Sequence, residues 1–432
     1  MSKKILIILS VIALLAVGLL AACEEEVIVP VVPVVPEKTS IVIGAARPLS
    51  GPLNFFEQTA FGPVYKMWVE DVNAAGGIYV ADYGKKLPVE MLVYDDTSDM
   101  NLMTTLLTKL IVEDKVDFVF PPASTAFLFA AGAVTNKYGY ILLGAEGGCT
   151  TLEQAALPGM PYFFGVLNYS NRSQIPVLAD ILVGLGVKTA AIIYIADLHG
   201  IEYAGEAGID FDRVGIDIVM NKSSIPYTTD VELLLKEARD SGADVLCCFV
   251  YPPTTFFMVT QAMALGYNPK AMVLGPGGYS PTLRDQFVGN NGYGLNGVMG
   301  EGAWSPKQSA GAQAFFDEFC VKEGEANIDY WGSLFYWGAL QHFQQSIEAA
   351  GTLDQDAVRD VMGTSTFETD LGPTWYDQIG GGGYLLAVEC HPGEIGQWQW
   401  DAAAGMCYFE VIGPVEKATA EPIYPKPAWP TD

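Results

Sequence analysis

The sequence predicts an α/β protein of two doubly wound parallel-sheet lobes joined by a multi-strand hinge, and three observations carry that prediction. Short β-branched or apolar runs alternate with longer stretches of helical periodicity, and the alternation happens in two successive series. The chain is also too long for one core. At 432 residues, 50% hydrophobic and only 17% charged, it outgrows the ~250 residues at which a single core stops enlarging.

The first series opens with "SIVIGAA", a strand, followed by the helix "AFGPVYKMWVEDVNAAGG". Here Pro63 sits in the first turn, Val64, Tyr65, Trp68, Val69 and Val72 recur at helical spacing, and Gly76 is the stop. The unit then repeats as strand "LPVEMLVY", helix "DMNLMTTLLTKLIVED", strand "VDFVF", helix "STAFLFAAGAVTNKYG" and strand "YILLG". A second series begins near Arg172, with helix "SQIPVLADILVGLG", strand "KTAAIIYI", helix "IEYAGEAGIDFDRVG" and strand "IDIVM". It continues through helix "TDVELLLKEARDSG", strand "ADVLCCFV", helix "TFFMVTQAMALGY" and strand "KAMVLG". Right-handed crossovers turn such runs into parallel sheets. The remainder is less regular, with helices expected at 310–323, 332–350 and 355–361 and hairpin-like strands at 385–390 and 396–411.

These boundaries place one lobe at 39–165 plus 297–365 and the other at 166–296 plus 366–415, followed by a proline-rich tail at 416–432 that lies on the surface or frays. The chain then crosses between lobes near 165, 296 and 365, and several crossings make a hinge about which closure is a rotation. Ligands of open parallel sheets bind beyond the carboxyl ends of the strands, which for two facing lobes means the cleft between them.

The beginning of the chain reads as a targeting segment. Lys3 and Lys4 precede an apolar run over 5–20, shorter than the ~20 residues of a membrane-spanning helix. "LAAC", ending at Cys23, resembles the lipobox of bacterial lipoproteins, which makes 1–22 a signal peptide and Cys23 a lipidated anchor. Pro30, Pro33 and Pro36 follow at the three-residue period of polyproline II, so 23–38 reads as a stiff stalk. The expected location is extracytoplasmic, in the periplasm or on the outer face of the membrane.

A formal net charge of −27 repels phosphates at long range, so nucleic acid is not an expected partner. The three histidines, His199, His342 and His391, stand far apart and no HExxH or paired CxxC exists, so neither a metal nor a cofactor is expected. In "YDDTSDMN" (94–101), Ser98 or Asp99 reads as a helix cap rather than a calcium ligand, and "GGGG" (380–383) reads as a loop. No GxSxG elbow or triad context appears, so no enzymatic mechanism is expected. Of the seven cysteines, Cys390 and Cys407 flank the expected terminal hairpin and could pair across it. Cys149, Cys247, Cys248 and Cys320 read as buried thiols.

The stretches "GAARPLSGP", "DVNAAGGI", "LVYDDTSD", "PAST", "GYILLGAEGG", "AIIYIADLHG", "YPPTTFFMVTQAMALGY" and "LGPGGY" occur in the order and at the spacings of a known family. Over about 40–410 the chain resembles type I periplasmic binding proteins, in the branch of the leucine/isoleucine/valine-binding proteins and their amide-binding relatives. The resemblance implies a monomeric two-lobed receptor that closes on a small solute and delivers it to the permease subunits of an ATP-driven (ABC) importer. It also implies where the solute sits. The hydroxyl cluster for a ligand carboxylate falls on Pro122, Ala123, Ser124 and Thr125; the carbonyl and threonine of the next loop fall on Glu146, Gly147 and Gly148, without the threonine. The glutamate that pairs with an α-ammonium falls on Gly277, while aromatic walls are expected from Phe56, His199, Tyr251 and Tyr279.

A buried ammonium needs a carboxylate or several acceptors. Either Glu146 supplies that charge, or the solute carries no ammonium and Arg47 is a partner for its carboxylate. Arg47 reads slightly better as a solvated loop residue. The expected function is solute capture for an ABC importer, the alternative a sensory receptor of the same fold that signals to a partner protein. An extracellular hydrolase is disfavoured by the missing triad.

Overall fold

The computed structural model describes residues 37–144, 151–167 and 170–430. The expected signal peptide, Cys23 and stalk residues 24–36, as well as Glu146, Gly147, Gly148 and Cys149, lie outside the described residues. Among the described residues, no helix is long and apolar enough to cross a membrane.

From residue 38 onward the chain forms one compact unit. Its first half runs β1 (Ile41–Arg47), α1 (Gly62–Ala74), the ribbon strands β2 (Ile78–Val80) and β3 (Lys85–Leu87), and β4 (Val89–Asp95). It continues through α2 (Met100–Val112), β5 (Phe118–Phe120), α3 (Thr125–Tyr138), β6 (Leu142–Gly144) and β7 (Phe163–Gly165). The second half runs α4 (Ile175–Gly184), β8 (Thr189–Ile195), α5 (Leu198–Val214), β9 (Asp217–Ser224) and α6 (Glu232–Ser241). After these come β10 (Val245–Phe249), α7 (Thr254–Ala264), β11 (Ala271–Leu274) and β12 (Val298–Gly300). Three helices follow, α8 (Ala310–Lys322), α9 (Ser333–Ala350) and α10 (Gln355–Thr364). The last strands are β13 (Phe367–Thr369), β14 (Gly372–Thr374), β15 (Tyr376–Gln378), β16 (Tyr384–Leu386), β17 (Ile395–Asp401) and β18 (Met406–Gly413).

Two seven-stranded sheets organise the described residues, in the orders β15-β16-β7-β6-β5-β1-β4 and β18-β17-β12-β11-β10-β8-β9. The first contains six parallel strands and the second five; in each the second strand lies outside the first, so that the order reverses between β1 and β5 and between β8 and β10. Strands covered by helices on both faces read as continuous apolar runs. In β10, "VLCCF", every residue is buried. Val245, Cys247 and Phe249 face the core under α4 and α5, and Leu246 and Cys248 face the other side. Local signals agree with the elements. The Asp99 carboxylate caps α2 by accepting from the Asn101 and Leu102 amides at 2.8 and 2.9 Å, and Pro63 lies in the first turn of α1.

The last third corrects the expected boundaries. β12 lies in the second sheet, so the chain leaves that lobe after residue 300 rather than near 296. β15 and β16 complete the edge of the first sheet, so the final crossing follows residue 386 rather than 365. The terminal hairpin is β17 with β18, and residues 384–386 pair instead with β7 and β15. This separates the two cysteines expected to pair: the Cys390 thiol faces the Pro373 carbonyl at 3.5 Å, whereas Cys407 sits opposite Trp400 in the hairpin, and both are free. Cys247 and Cys248 are buried as expected, but Cys320 is partly exposed because it falls on the outer side of α8. Nor is the tail frayed. Trp429 donates its indole N–H to the Tyr267 carbonyl at 2.7 Å and Lys426 donates its amide to the Lys270 carbonyl at 2.7 Å.

Candidate functional site

At each reversal of strand order the loops leave in opposite directions, opening a crevice at the carboxyl ends of the strands. In the first sheet that crevice is lined by the end of β1 with the loop to Phe56, and by the residues after β5, Pro121 to Thr125. In the second it is lined by the start of α5, which carries His199, and by Tyr251 after β10. The two crevices meet. Phe56 packs edge-on against Tyr251 at 5.6 Å and Phe55 against Phe256 at 5.4 Å, so the lobes touch through aromatic side chains. The Tyr251 hydroxyl is faced by the hydroxyl and amide of Thr125, which oppose the strong upward push of burial on its pKa.

Local backbone chemistry places these groups. Asp197 caps α5 by accepting from the Gly200 amide at 3.0 Å, which points the first turn and His199 inward. A Cβ at Gly200 would lie 2.1 Å from the Ile195 carbonyl oxygen, so only glycine lets the helix start this close to β8. His199 stacks on Tyr251 with ring centroids 4.7 Å apart and lies 4.4 Å from Tyr203. Burial lowers the His199 pKa to about 3, so the imidazole is neutral.

Beneath His199 lies Glu301, one residue past β12 and fully buried, with its Oε1 3.7 Å from His199 Nε2. That distance is too long for a hydrogen bond. Neither carboxylate oxygen has a protein partner, and neither do His199 Nε2, the Tyr279 hydroxyl or the Trp331 indole N–H. Burial raises the Glu301 pKa well above the carboxylate range and raises Tyr279 likewise, with Asp329 and Glu301 adding to the latter. Trp331 stands 5.9 Å from Tyr279, and a Cβ at Gly302 would lie 1.8 Å from its ring. Asp329 fixes the turn that presents it, its Oδ1 accepting from the Trp331 and Gly332 amides at 2.8 and 2.9 Å.

The expected site residues thus fall into groups. Phe56, Ala123, Ser124, Thr125, His199, Tyr251 and Tyr279 are all buried at strand ends, and Phe56, Thr125, Tyr251 and His199 stand together. Glu146, Gly147 and Gly148 lie outside the described residues. Gly277 is in the loop after β11 at φ +84°, where a Cβ would lie 2.6 Å from the Pro252 ring, so this turn has no room for a glutamate.

Arg47 is not a solvated loop residue. It ends β1 with 1% of its surface exposed, paired with Glu57 at 2.6 Å, donating to the Pro121 carbonyl at 2.6 Å and lying over the Tyr65 ring at 5.1 Å. Sequence reasoning missed Glu301, Asp329 and Trp331. Glu301 did carry a signal, as the only charged residue between Asp285 and Lys307. Among the described residues, no three His, Cys, Asp or Glu side chains are grouped to hold a metal ion.

Comparison with known proteins agrees with the fold. The chain is 29% identical over 262 residues to the Leu/Ile/Val-binding protein homolog 8 of Brucella abortus (strain 2308), an alignment covering 58% of this chain and 62% of that protein. The chain therefore spans about three fifths of the length of that relative. Its fold superposes on the branched-chain amino acid transporter substrate-binding protein LivJ from Streptococcus pneumoniae, solved with isoleucine, with a TM-score of 0.69 and 18% identity over 87% of this chain and 100% of that one. A solute-binding protein of an ABC transporter from R. palustris, solved with benzoate, superposes with a TM-score of 0.70 and 16% identity over 88% and 98% of the two chains. The family model described as periplasmic binding protein matches residues 40–383, which takes in β1 to β15 and stops before β16, β17 and β18. The chain belongs to the periplasmic binding protein family.

Proposed function

We propose that this protein is an extracytoplasmic solute-binding lipoprotein of an ABC importer, attached through Cys23, which captures a small amino-acid-like or organic-acid or amide solute and delivers it to the permease. The observation that carries this reading is the meeting of Phe56 and Thr125 from one lobe with Tyr251 and His199 from the other, at the two strand-order reversals. A solute there touches both lobes only when they are closed, so its differential affinity favours the closed form. Proteins of the same fold support the solute size: one was solved with isoleucine and another with benzoate.

The test is a thermal-unfolding screen of the purified protein against leucine, isoleucine, phenylalanine, short aliphatic amides, benzoate and 4-hydroxybenzoate. A solute that binds only the folded state at a hundred times its Kd stabilises it by about 2.7 kcal/mol. At least one class is expected to raise the midpoint in a saturable way. No shift from any class counts against solute capture.

A further inference from the structure

We propose that Glu301 is the anionic anchor of the solute site, and that the solute carries a protonated nitrogen held between Glu301, His199 and the Tyr279 hydroxyl. The inference rests on the solute-capture reading and narrows it. Its basis is a set of orphaned groups in one place. Glu301, His199 and Tyr279 are each at least 98% buried, and the Glu301 oxygens, His199 Nε2, the Tyr279 hydroxyl and the Trp331 N–H all lack protein partners. Leaving a buried polar group unsatisfied costs ~1–3 kcal/mol, and more for a charged one. Five such atoms, with His199 and Glu301 3.7 Å apart, the Tyr279 and Trp331 rings 5.9 Å apart and Glu301 near enough to Tyr279 to raise its pKa, are therefore a demand for a molecule that supplies what is missing.

The chemistry of that molecule follows from the donor set. The two free carboxylate oxygens are acceptors and the Tyr279 hydroxyl can accept as well, in a surround of aromatic rings: Tyr203 and Tyr251 pack on the His199 ring and Trp331 stands by Tyr279. Acceptors in an aromatic surround suit an ammonium or amidinium. His199 does not serve as the cation itself: it lies beyond hydrogen-bonding distance of Glu301, and burial keeps it neutral at neutral pH. Gly277, where the resemblance placed the ammonium-binding glutamate, has no room for one, so the charge comes from the neighbouring strand of the same sheet, at the exit of β12.

Matched pairs of probes test this on the full-length protein by titration calorimetry: leucine against 4-methylpentanoate, phenylalanine against 3-phenylpropanoate, and 2-phenylethylamine as an amine without a carboxylate. At least one amine-bearing probe is expected to bind, and its deaminated partner to bind at least 100-fold more weakly. Glu301→Gln is expected to lose at least 100-fold in affinity for that amine while unfolding no earlier than the wild type, since the amide keeps the shape of the carboxyl and burial already disfavours the charged form in the absence of a solute. Should the deaminated acids bind as well as the amines, or should Glu301→Gln keep wild-type affinity for an amine, the anchor assignment falls while solute capture stands. Should nothing bind, solute capture falls, and this inference with it.

Discussion

Asp329→Asn gains stability relative to the wild type as the pH rises from about 4 to about 7, and the gain is level above that range. Burial raises the Asp329 pKa to about 7, against the lowering effect of the Gly332 and Trp331 amides. In the unfolded chain the same carboxyl titrates near ~3.9. Because the folded pKa is the higher one, the folded state holds a proton between these values that the unfolded state has lost, so stability falls as pH rises through the window. Each unit of separation corresponds to ~1.4 kcal/mol, so the gap between the two proteins widens by a few kcal/mol. Asparagine keeps the Oδ1 that accepts from both amides, and it removes only the charge. Urea midpoints of both proteins at pH 4.5 and 8 check the result, since all other titrating groups cancel in the comparison. A gap that is constant, or that narrows with pH, contradicts the burial argument.

Gly277→Glu, which restores the glutamate expected from the resemblance, lowers the unfolding free energy and creates no ammonium site. At φ +84° any side chain is strained by ~1–3 kcal/mol. The Cβ would meet the Pro252 ring at 2.6 Å and the Phe256 ring at 3.1 Å, which adds ~1–3 kcal/mol of overpacking. A new carboxylate in this buried turn adds its own desolvation. The total loss is at least about 2 kcal/mol, with Gly277→Ala losing less than Gly277→Glu. Chemical denaturation of the three proteins measures it, and a Gly277→Glu variant as stable as the wild type shows that the turn relaxes.

The two lobes were legible because each strand from β1 to β12 that was recognised is a short apolar or β-branched run followed by a helix with its own cap or stop, as at Asp99 and Gly76. The end of the chain was not legible for a physical reason: β15 and β16 are three residues each, too short for period-two alternation to show, and their neighbours are fixed by β7, over two hundred residues earlier. The proposed Cys390 to Cys407 pairing failed on the same point, since it needed a register that only tertiary structure sets.

At the candidate site, the places of Thr125, His199 and Tyr251 shortly after strand ends, and of Phe56 in the loop that follows β1, were legible in the sequence. Arg47 was misread because the last residue of a strand and the first of a loop look alike in sequence, whereas its burial depends on Glu57 and Tyr65. Glu301 was overlooked because a carboxylate amid glycines and apolar residues signals a site only once its neighbours, His199 and Tyr279, are known.

On the proposed function, capture occurs by closure of the lobes around the solute. Closing the cleft without a solute buries the Glu301 oxygens, His199 Nε2 and the Tyr279 hydroxyl with no partner, so the solute-free protein favours an open form and a bound solute the closed one. Small-angle scattering of the purified protein, with and without a solute that raises its unfolding midpoint, measures this directly. The radius of gyration is expected to fall at saturation, in step with occupancy. A solute that binds tightly and leaves the radius of gyration unchanged contradicts it.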